Sequence, residues 1–351
     1  MSARSTVAGV VASYNQESFV LDAVMSLLDQ VDELVFVDDC SSDNTGALLG
    51  SFSHPKLTVI HNAHHLGVSG SFNAGVEATS SDIVLIQGGD DLSLPTRADR
   101  QRTILENPDV VLAASGPQVI NESGAELPEW AAPEFFHLDP ETDYLRRLFF
   151  VGNVICAPSV AVRRSDYLAH GGFHPGLDYL QDYHLWLKLA TRGRFVVEQN
   201  PVVAYRKHSS NLSRADLGID SPRRRRKRAE LGFTLEDFLA HADPDVLQRL
   251  APSRHLPATP FQELDRAEQI AILQLDHSDR VLVQRGVYFV LDALGSDEGL
   301  VTLERMGLNA ADLTNLAVRA DYDNAHDVAW ALAVRDSMVS TDDVNGDGGP
   351  A

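Results

Sequence analysis

The chain of 351 residues holds two cysteines, Cys40 and Cys156. They stand far apart with no CxxC or Cys/His spacing around them, which excludes a structural zinc site and a disulfide framework. A reduced cytoplasm is the default setting for so few thiols. No apolar run approaches the ~18–20 residues that a membrane span needs, and Met1–Thr6 lacks the basic-then-apolar opening of a signal peptide. Positive charge is also scarce: 29 basic residues, only four of them lysines, face 50 acidic ones, for a formal net charge of −21. Such a surface repels nucleic acid and anionic membrane, so neither is an expected partner and any membrane contact would be peripheral, at the inner face. A glycine-rich phosphate loop is missing as well. Ala12–Glu17 (ASYNQE), after the first apolar run, has no glycine and no base. This argues against a dinucleotide-binding dehydrogenase and against a sugar nucleotidyltransferase. The one basic cluster, Arg223–Arg228 (RRRRKR), reads as a solvated helix face, with contact to anionic lipid or nucleic acid as the alternative.

What is present is alternation of strand and helix patterns. Thr6–Ala12 (TVAGVVA) reads as a buried strand; Ser18–Leu28 carries Phe19, Val20, Val24, Leu27 and Leu28 at helical spacing. Glu33–Val37 is a second strand ending in Asp38-Asp39, and Ser41–Thr45 supplies cap chemistry for a second helix. Leu57–Ile60, Ile83–Ile86 and Val110–Ala114 are further strands; Ser69–Ala78 and Pro95–Asn107 are the helices between them. Continuous apolar strands alternating with helices define the α/β class, a Rossmann-like, mainly parallel sheet flanked by helices. Such sheets bind ligands beyond the carboxyl ends of their strands.

Downstream, Asn121–Asp139 reads as a loop, Thr142–Phe150 as a helix and Val154–Arg163 as a strand interrupted at Pro158. Gln181–Thr191 is a helix with Leu185, Trp186 and Leu189 on one face, and Phe195–Tyr205 is extended. Past Ser221 the pattern is helical, over Arg223–His241, Pro244–Leu250, Phe261–Leu275, Asp279–Leu294, Gly299–Leu308 and Asn309–Asp336. The expected organisation is an α/β domain at 1–220, a helical C-terminal region at 221–338 and a disordered Gly/Asp-rich tail at 339–351. Within the tail, Asp343–Gly348 looks like the opening of a calcium loop but lacks the closing glutamate.

Polar clusters fall at the expected strand ends: Ser13-Tyr14-Asn15, Asp38-Asp39 and Gly88-Gly89-Asp90-Asp91. Two adjacent acids after a buried strand are costly unless a cation neutralises them. A hard divalent ion that shares its shell with substrate phosphates suits such a pair; the competing reading is a helix N-cap. A carboxylate at the Asp38-Asp39 position can accept a base imide N–H or bind a ribose hydroxyl, with Tyr14 as a stacking ring.

Taken together, VVASYNQE (10–17), FVDDCSSDNT (36–45), NAHHLGVSGSFNAGVEA (62–78), IQGGDDLSLP (86–95), SVAVRRSDYLAHGGF (159–173) with QDYHLWLKLA (181–190), and YRKHSSNLS (205–213) resemble the family 2 inverting glycosyltransferases of the GT-A fold. The resemblance covers roughly residues 6–213, in family order. It implies a metal-dependent transferase that moves a sugar from a nucleotide-diphosphate donor, uridine-linked, to a hydroxyl acceptor. By position, Ser13, Tyr14, Asn15 and Asp39, with Asp38 nearby, match the nucleoside pocket, and Asn73 and Asp90 also fall on the donor side. Asp90 and Asp91 match the acidic motif that holds Mn²⁺ or Mg²⁺ and the diphosphate. Asp182 matches the general base, and His208 an additional metal or diphosphate contact. The sequence departs from the family pattern at Gly88 and Gln181, where acids are common, at Phe72, where an arginine is common, and around Ala12-Ser13, where a proline is usual.

A base at the first turn of a helix is held rigidly. The helix terminus and a nearby metal lower its pKa while burial opposes both, so geometry rather than a high pKa is expected to set its role. A glycan, a lipid-linked sugar or a protein side chain fits as acceptor, and the C-terminal region offers a route to a homo-oligomer. The rival reading is a degenerate transferase fold acting as a glycan- or partner-binding module.

Overall fold

A computed structural model describes residues 4–128, 142–211, 221–252, 257–295 and 299–309, with 311, 312 and 315. It divides into two compact units, Met1–Thr234 and Leu235–Ala351.

The first unit runs β1 (Val7–Ser13), α1 (Val20–Leu28), β2 (Glu33–Asp38), α2 (Thr45–Ser51), β3 (Leu57–His61), α3 (Gly67–Ala78) and β4 (Ile83–Gly88). It continues with β5 (Leu92–Ser93), α4 (Arg97–Leu105), β6 (Val110–Ser115), β7 (Gln118–Ile120), α5 (Tyr144–Val151), β8 (Ala161–Arg163), α6 (Arg164–Ala169), α7 (Gln181–Ala190), β9 (Arg194–Glu198) and β10 (Val203–Arg206). Seven strands form the main sheet in the order β3-β2-β1-β4-β8-β6-β9. Pairing is parallel except on either side of β8, which lies antiparallel between β4 and β6. The strands are apolar on both faces because helices cover both: Val7, Val10 and Val11 of β1 and Leu34, Phe36 and Val37 of β2 are fully buried. Burial of each such side chain stabilises the fold by ~1.5–3 kcal/mol.

Register decides what this sheet presents. Ser13 pairs with Asp38, Asp38 with His61, and Ala12 with Gly88. β1 to β4 therefore end level, and the polar clusters that follow them share one edge.

Three segments differ from the sequence expectation. The strand expected over Val154–Arg163 is a single 3-10 turn at Ala157–Ser159 followed by three strand residues. Pro158 has no N–H to offer a ladder, and Ser159 Oγ bonds the carbonyls of Ser115 and Cys156 instead. The extended stretch Phe195–Tyr205 is two strands: β9 joins the main sheet, whereas β10 forms a second sheet in the order β5-β10-β7. The helix expected from Pro95 begins at Arg97, after Thr96 in a left-handed conformation (φ 68).

α8 (Pro222–His241) crosses the division between Thr234 and Leu235, so its opening turns belong to the first unit. The second unit continues with α9 (Pro244–Leu250), α10 (Arg266–Asp276), α11 (Arg280–Leu294) and α12 (Gly299–Met306). Its ends are well capped. Asp265 and Glu268 form a reciprocal capping box on α10, and Arg266 donates to the carbonyls of Leu239 and Ala240 in the last turn of α8 and of Ala242 just past it. Residues 129–139 of the expected loop lie outside the described residues. So do the tail 339–351 with Asp343–Gly348, and the helix expected over Asn309–Asp336 apart from residues 309, 311, 312 and 315. No described helix is long and apolar enough to cross a membrane.

Candidate active site

The carboxyl edge of β1 and β2 is held by side chain to backbone bonds. Asn15, with φ 52, accepts the Ser42 N–H on its Oδ1 at 2.8 Å and donates its own N–H to Ser41 Oγ at 2.9 Å. That clamp presents Tyr14 outward, 45% exposed, with its ring 4.3 Å from the ring of His65. Ser13 is buried and donates from Oγ to Gln16 Oε1 at 2.7 Å. The backbone of Gly89 comes so close that a Cβ there would stand 2.5 Å from Ser13 Oγ.

The two acids after β2 differ. Asp39 takes the backbone N–H groups of Leu66 and Gly67, the Asn62 amide (each 2.8 Å) and His65 Nδ1 at 2.9 Å. Its carboxylate thus caps the start of α3, whose own N-cap, Leu66, has no capping side chain. Asp38 has fewer ties: Ser41 N–H at 3.2 Å and half-exposed His61 at 3.2 Å.

Asn73 spends its amide inside the protein. Its Oδ1 accepts from Tyr167 Oη and Phe173 N, and its Nδ2 donates to Phe173 O. It ties α3 to the turn at Gly172-Phe173. Phe72 is buried with its ring edge-on to Phe173, 5.6 Å away, which is a packing role.

Beyond β4, Asp90 and Asp91 are both buried. Asp91 Oδ1 accepts the Arg206 N–H at 2.9 Å, and Asp90 Oδ2 accepts from His208 Nε2 at 2.8 Å and Asn211 Nδ2 at 3.2 Å. Asp90 Oδ1 and Asp91 Oδ2 accept nothing among the described residues. Both lie close to where a Cβ on Gly88 would be, at 2.6 and 3.3 Å, so a third acid at that position would crowd the pair. Burial and the Asp90 charge push the Asp91 carboxyl well above the usual range.

His208 has both ring nitrogens engaged, Nδ1 with Ser210 Oγ at 2.9 Å, so it orients Asp90 from behind. Arg206 is buried, donates from Nε to Asp90 O and lies over the Phe19 ring. No group of three or more His, Cys, Asp or Glu side chains among the described residues is arranged to hold a metal ion. Two unpartnered carboxylate oxygens on adjacent residues do fit a hard divalent cation that completes its shell with substrate phosphate and water.

Asp182 lies in the first turn of α7, 9% exposed. Its Oδ2 accepts from Asn153 Nδ2 at 2.8 Å and its Oδ1 from the Tyr183 N–H at 2.7 Å. Burial raises its pKa from 3.8 to about 6 against those two bonds. Desolvation therefore outweighs the helix terminus, opposite to the balance expected from sequence.

Two functional-looking groups escaped the sequence reading. Arg97 is completely buried beneath the Asp90-Asp91 turn. It donates to Gln101, Gln87, Ser93 and the carbonyls of Ile86 and Val160, and burial lowers its pKa to about 9. It remains a cation at neutral pH, and its field acts on Asp91. Glu230 of α8 accepts the consecutive N–H groups of Asp178, Tyr179 and Leu180 at 3.0, 2.9 and 3.1 Å. Leu180, the N-cap of α7, has no capping side chain of its own. Glu230 caps α7 from another element and so positions Asp182. A cavity of about 480 Å³ lined by Glu17, Ser18, Asn44, Ala47, Leu48 and Ser51 includes none of these carboxylates.

A mainly parallel sheet with acids at the carboxyl ends of β2 and β4, and a further acid on α7, defines an α/β nucleotide-binding domain of the GT-A type. Residues 10–171 match the model of Glycosyl transferase family 2. The segment over residues 10–171 is a domain of that family. It is 26% identical over 192 residues to an uncharacterized glycosyltransferase of Haemophilus influenzae, covering 53% of this chain and 62% of the relative. It is 31% identical over 135 residues to the succinoglycan biosynthesis protein ExoO of Rhizobium meliloti, covering 37% and 38%. The matched segments thus span less than two thirds of either relative. Among solved structures, TarS 1–349 of S. aureus superposes with a TM-score of 0.55 at 16% identity, covering 92% of this chain and 91% of that one. The mannosyltransferase PcManGT of Pyrobaculum calidifontis, solved with GDP-Man and Mn²⁺, superposes with a TM-score of 0.51 at 16% identity, covering 95% and 87%.

Proposed function

We propose that this chain is a metal-dependent inverting glycosyltransferase that moves a sugar from a nucleoside-diphosphate donor, uridine-linked, to a hydroxyl of a glycan, lipid-linked or protein acceptor in the cytoplasm. The observation that carries the reading is two unpartnered oxygens, Asp90 Oδ1 and Asp91 Oδ2, after β4, together with a buried acid, Asp182, in the first turn of α7; the charges of Asp91 and Asp182 both act on the buried Cys156 thiol. Asp90 and Asp91 would hold Mn²⁺ or Mg²⁺, which when bound neutralises the charge building on the departing diphosphate.

Tyr14, outward on the Asn15 clamp, offers a face for the nucleobase, and Asp38 an acceptor for its imide or for a ribose hydroxyl. Asp39 shapes that pocket by fixing the start of α3. Asp182 takes the acceptor proton. With a pKa of about 6 it is ionised at neutral pH yet basic enough for proton transfer, which suits a general base. Asn153 and the Tyr183 N–H fix its carboxylate, and Glu230 fixes the turn before it, so attack opposite the leaving group starts from a set geometry.

The neighbours' ligands agree with this chemistry in kind: TarS has been solved with UDP-GlcNAc, and PcManGT with GDP-Man and Mn²⁺. A thermal-shift panel of nucleotide sugars with and without Mn²⁺ tests the donor side. A uridine-linked donor should raise the melting temperature only with metal, and Asp91→Ala should abolish that rise. Equal stabilisation of the variant, or no response to any nucleotide sugar, would remove the reading.

A further inference from the structure

The run Arg223–Arg228 is the motif that the proposed function leaves unused. It opens α8 in a chain of net charge −21. Helical spacing puts Arg223, Arg226, Lys227 and Glu230 on one face, and that face contacts the 176–180 turn while Arg226 stays half-exposed. Arg226 donates to Gly176 O at 2.9 Å and to Glu230 at 2.8 Å, while Glu230 holds the turn that leads into α7. The Tyr179 ring, just ahead of Asp182, carries two cations: the Arg223 guanidinium lies 5.5 Å and the Lys227 ammonium 5.4 Å from its centroid. The charge of Lys227 also reaches the Asp182 carboxylate. The one concentration of positive charge in this sequence is thus anchored beside the proposed base.

An acceptor whose hydroxyl faces Asp182 must lay its remaining atoms over the residues bordering Asp182. There it meets the Tyr179 ring with two cations over it, a combination that draws an anion to the charges. On a surface otherwise acidic, a neutral acceptor would not call for such an edge.

We propose that Tyr179, Arg223 and Lys227 form an acceptor subsite for a phosphate-bearing substrate, with the accepting hydroxyl at Asp182 and the phosphate across Arg223 and Lys227. This rests on Asp182 being the base. In the transfer the acceptor O–H bond breaks and its proton passes to the Asp182 carboxylate. The acceptor oxygen bonds the anomeric carbon, and the bond from that carbon to the diphosphate oxygen breaks, its electron pair leaving with the diphosphate. The acceptor phosphate undergoes no change; it orients.

The test uses the full chain saturated with Mn²⁺ and with UDP or GDP, whichever raises its melting temperature more. Filling the donor site prevents probes from occupying it. sn-Glycerol 3-phosphate and glycerol are titrated calorimetrically, and vesicles of phosphatidylglycerol or phosphatidylcholine are co-sedimented. The phosphate ester, the phosphatidylglycerol vesicles or both should bind the wild type. Arg223→Gln/Lys227→Gln should bind them at least about tenfold more weakly, with nucleotide affinity unchanged. Binding of the soluble ester alone assigns a soluble acceptor; binding of vesicles alone assigns a phosphate presented by lipid.

The proposal fails if neither probe binds, if both proteins bind equally, or if the variant loses nucleotide affinity, which would place these cations on the donor diphosphate. Lys227→Gln alone keeps the Arg226–Glu230 anchor and should move the same way should the double variant fold poorly. The base assignment is read separately: an active Asp182→Asn variant removes that reading without altering the phosphate-binding result.

Discussion

Replacing Asp182 with asparagine should stabilise the protein while disabling it. In the folded state burial lifts the Asp182 pKa from 3.8 to about 6, so the native state binds this proton more tightly than the unfolded chain does. Below the lower value both states are protonated and the group is neutral to stability. Between the two the unfolded chain ionises first, and stability falls as pH rises; above about 6 the penalty is complete. Linkage puts it at roughly 2 kcal/mol at pH 5 and roughly 3 kcal/mol at pH 7.5.

The uncharged amide of the variant would carry no such penalty. It would lose one of the two bonds made by Asn153 and the Tyr183 N–H, at a cost of about 1 kcal/mol that does not vary with pH. The quantity to measure is therefore the change with pH. Urea unfolding of metal-free wild type and Asp182→Asn, followed by circular dichroism at several pH values from 5 to 7.5, should show the variant's advantage growing by roughly 1 kcal/mol. A gap that stays flat or shrinks as pH rises would refute the claim that Asp182 is a desolvated acid.

Four further outcomes follow from the same geometry. Arg97→Met should destabilise the first unit by about 3–5 kcal/mol, read by denaturant unfolding, because it strips a buried hydrogen-bonding cation from Gln87, Gln101 and two carbonyls. Glu230→Ala should leave donor affinity intact but lower turnover and expose the amides of residues 178–180 to hydrogen exchange; Glu230→Gln, which keeps one acceptor, should recover part of both. Gly89→Ala should weaken donor binding, measured by calorimetry, since its Cβ would press on Ser13 Oγ. Turnover of the wild type should fall as pH drops through about 6, where Asp182 takes up its proton, and a rate flat to pH 5 would contradict that.

Much of this fold was legible because the residues concerned obey one rule at a time. Val7–Val11 and Leu34–Val37 are apolar without interruption, which only a doubly covered parallel strand explains, and parallel pairing then brings every strand's carboxyl end to one edge. Asp90, Asp91 and Asp182 stood out as acids where an apolar element stops or starts.

What stayed hidden depends on contacts between distant residues. Nothing local separates Asp38 from Asp39; the difference is that the N–H groups of Leu66 and Gly67 reach one and not the other. Arg97 and Gln101 occupy core positions on α4, so they break the hydrophobic pattern that marks a core. Glu230 lies far along the chain from the helix it caps. β8 falls inside the longer strand expected over Val154–Arg163, but its antiparallel insertion between β4 and β6 stayed hidden because it is a property of the sheet rather than of its three residues.

The central step is one carboxylate, Asp182, receiving the acceptor's proton while the donor is bound. The decisive measurement quantifies bound nucleotide sugar and product formation together in wild type and Asp182→Asn, with Mn²⁺ present. Equal donor occupancy with a rate lower by ~10²–10⁴-fold is the predicted result. Product at close to the wild-type rate from the variant would contradict it.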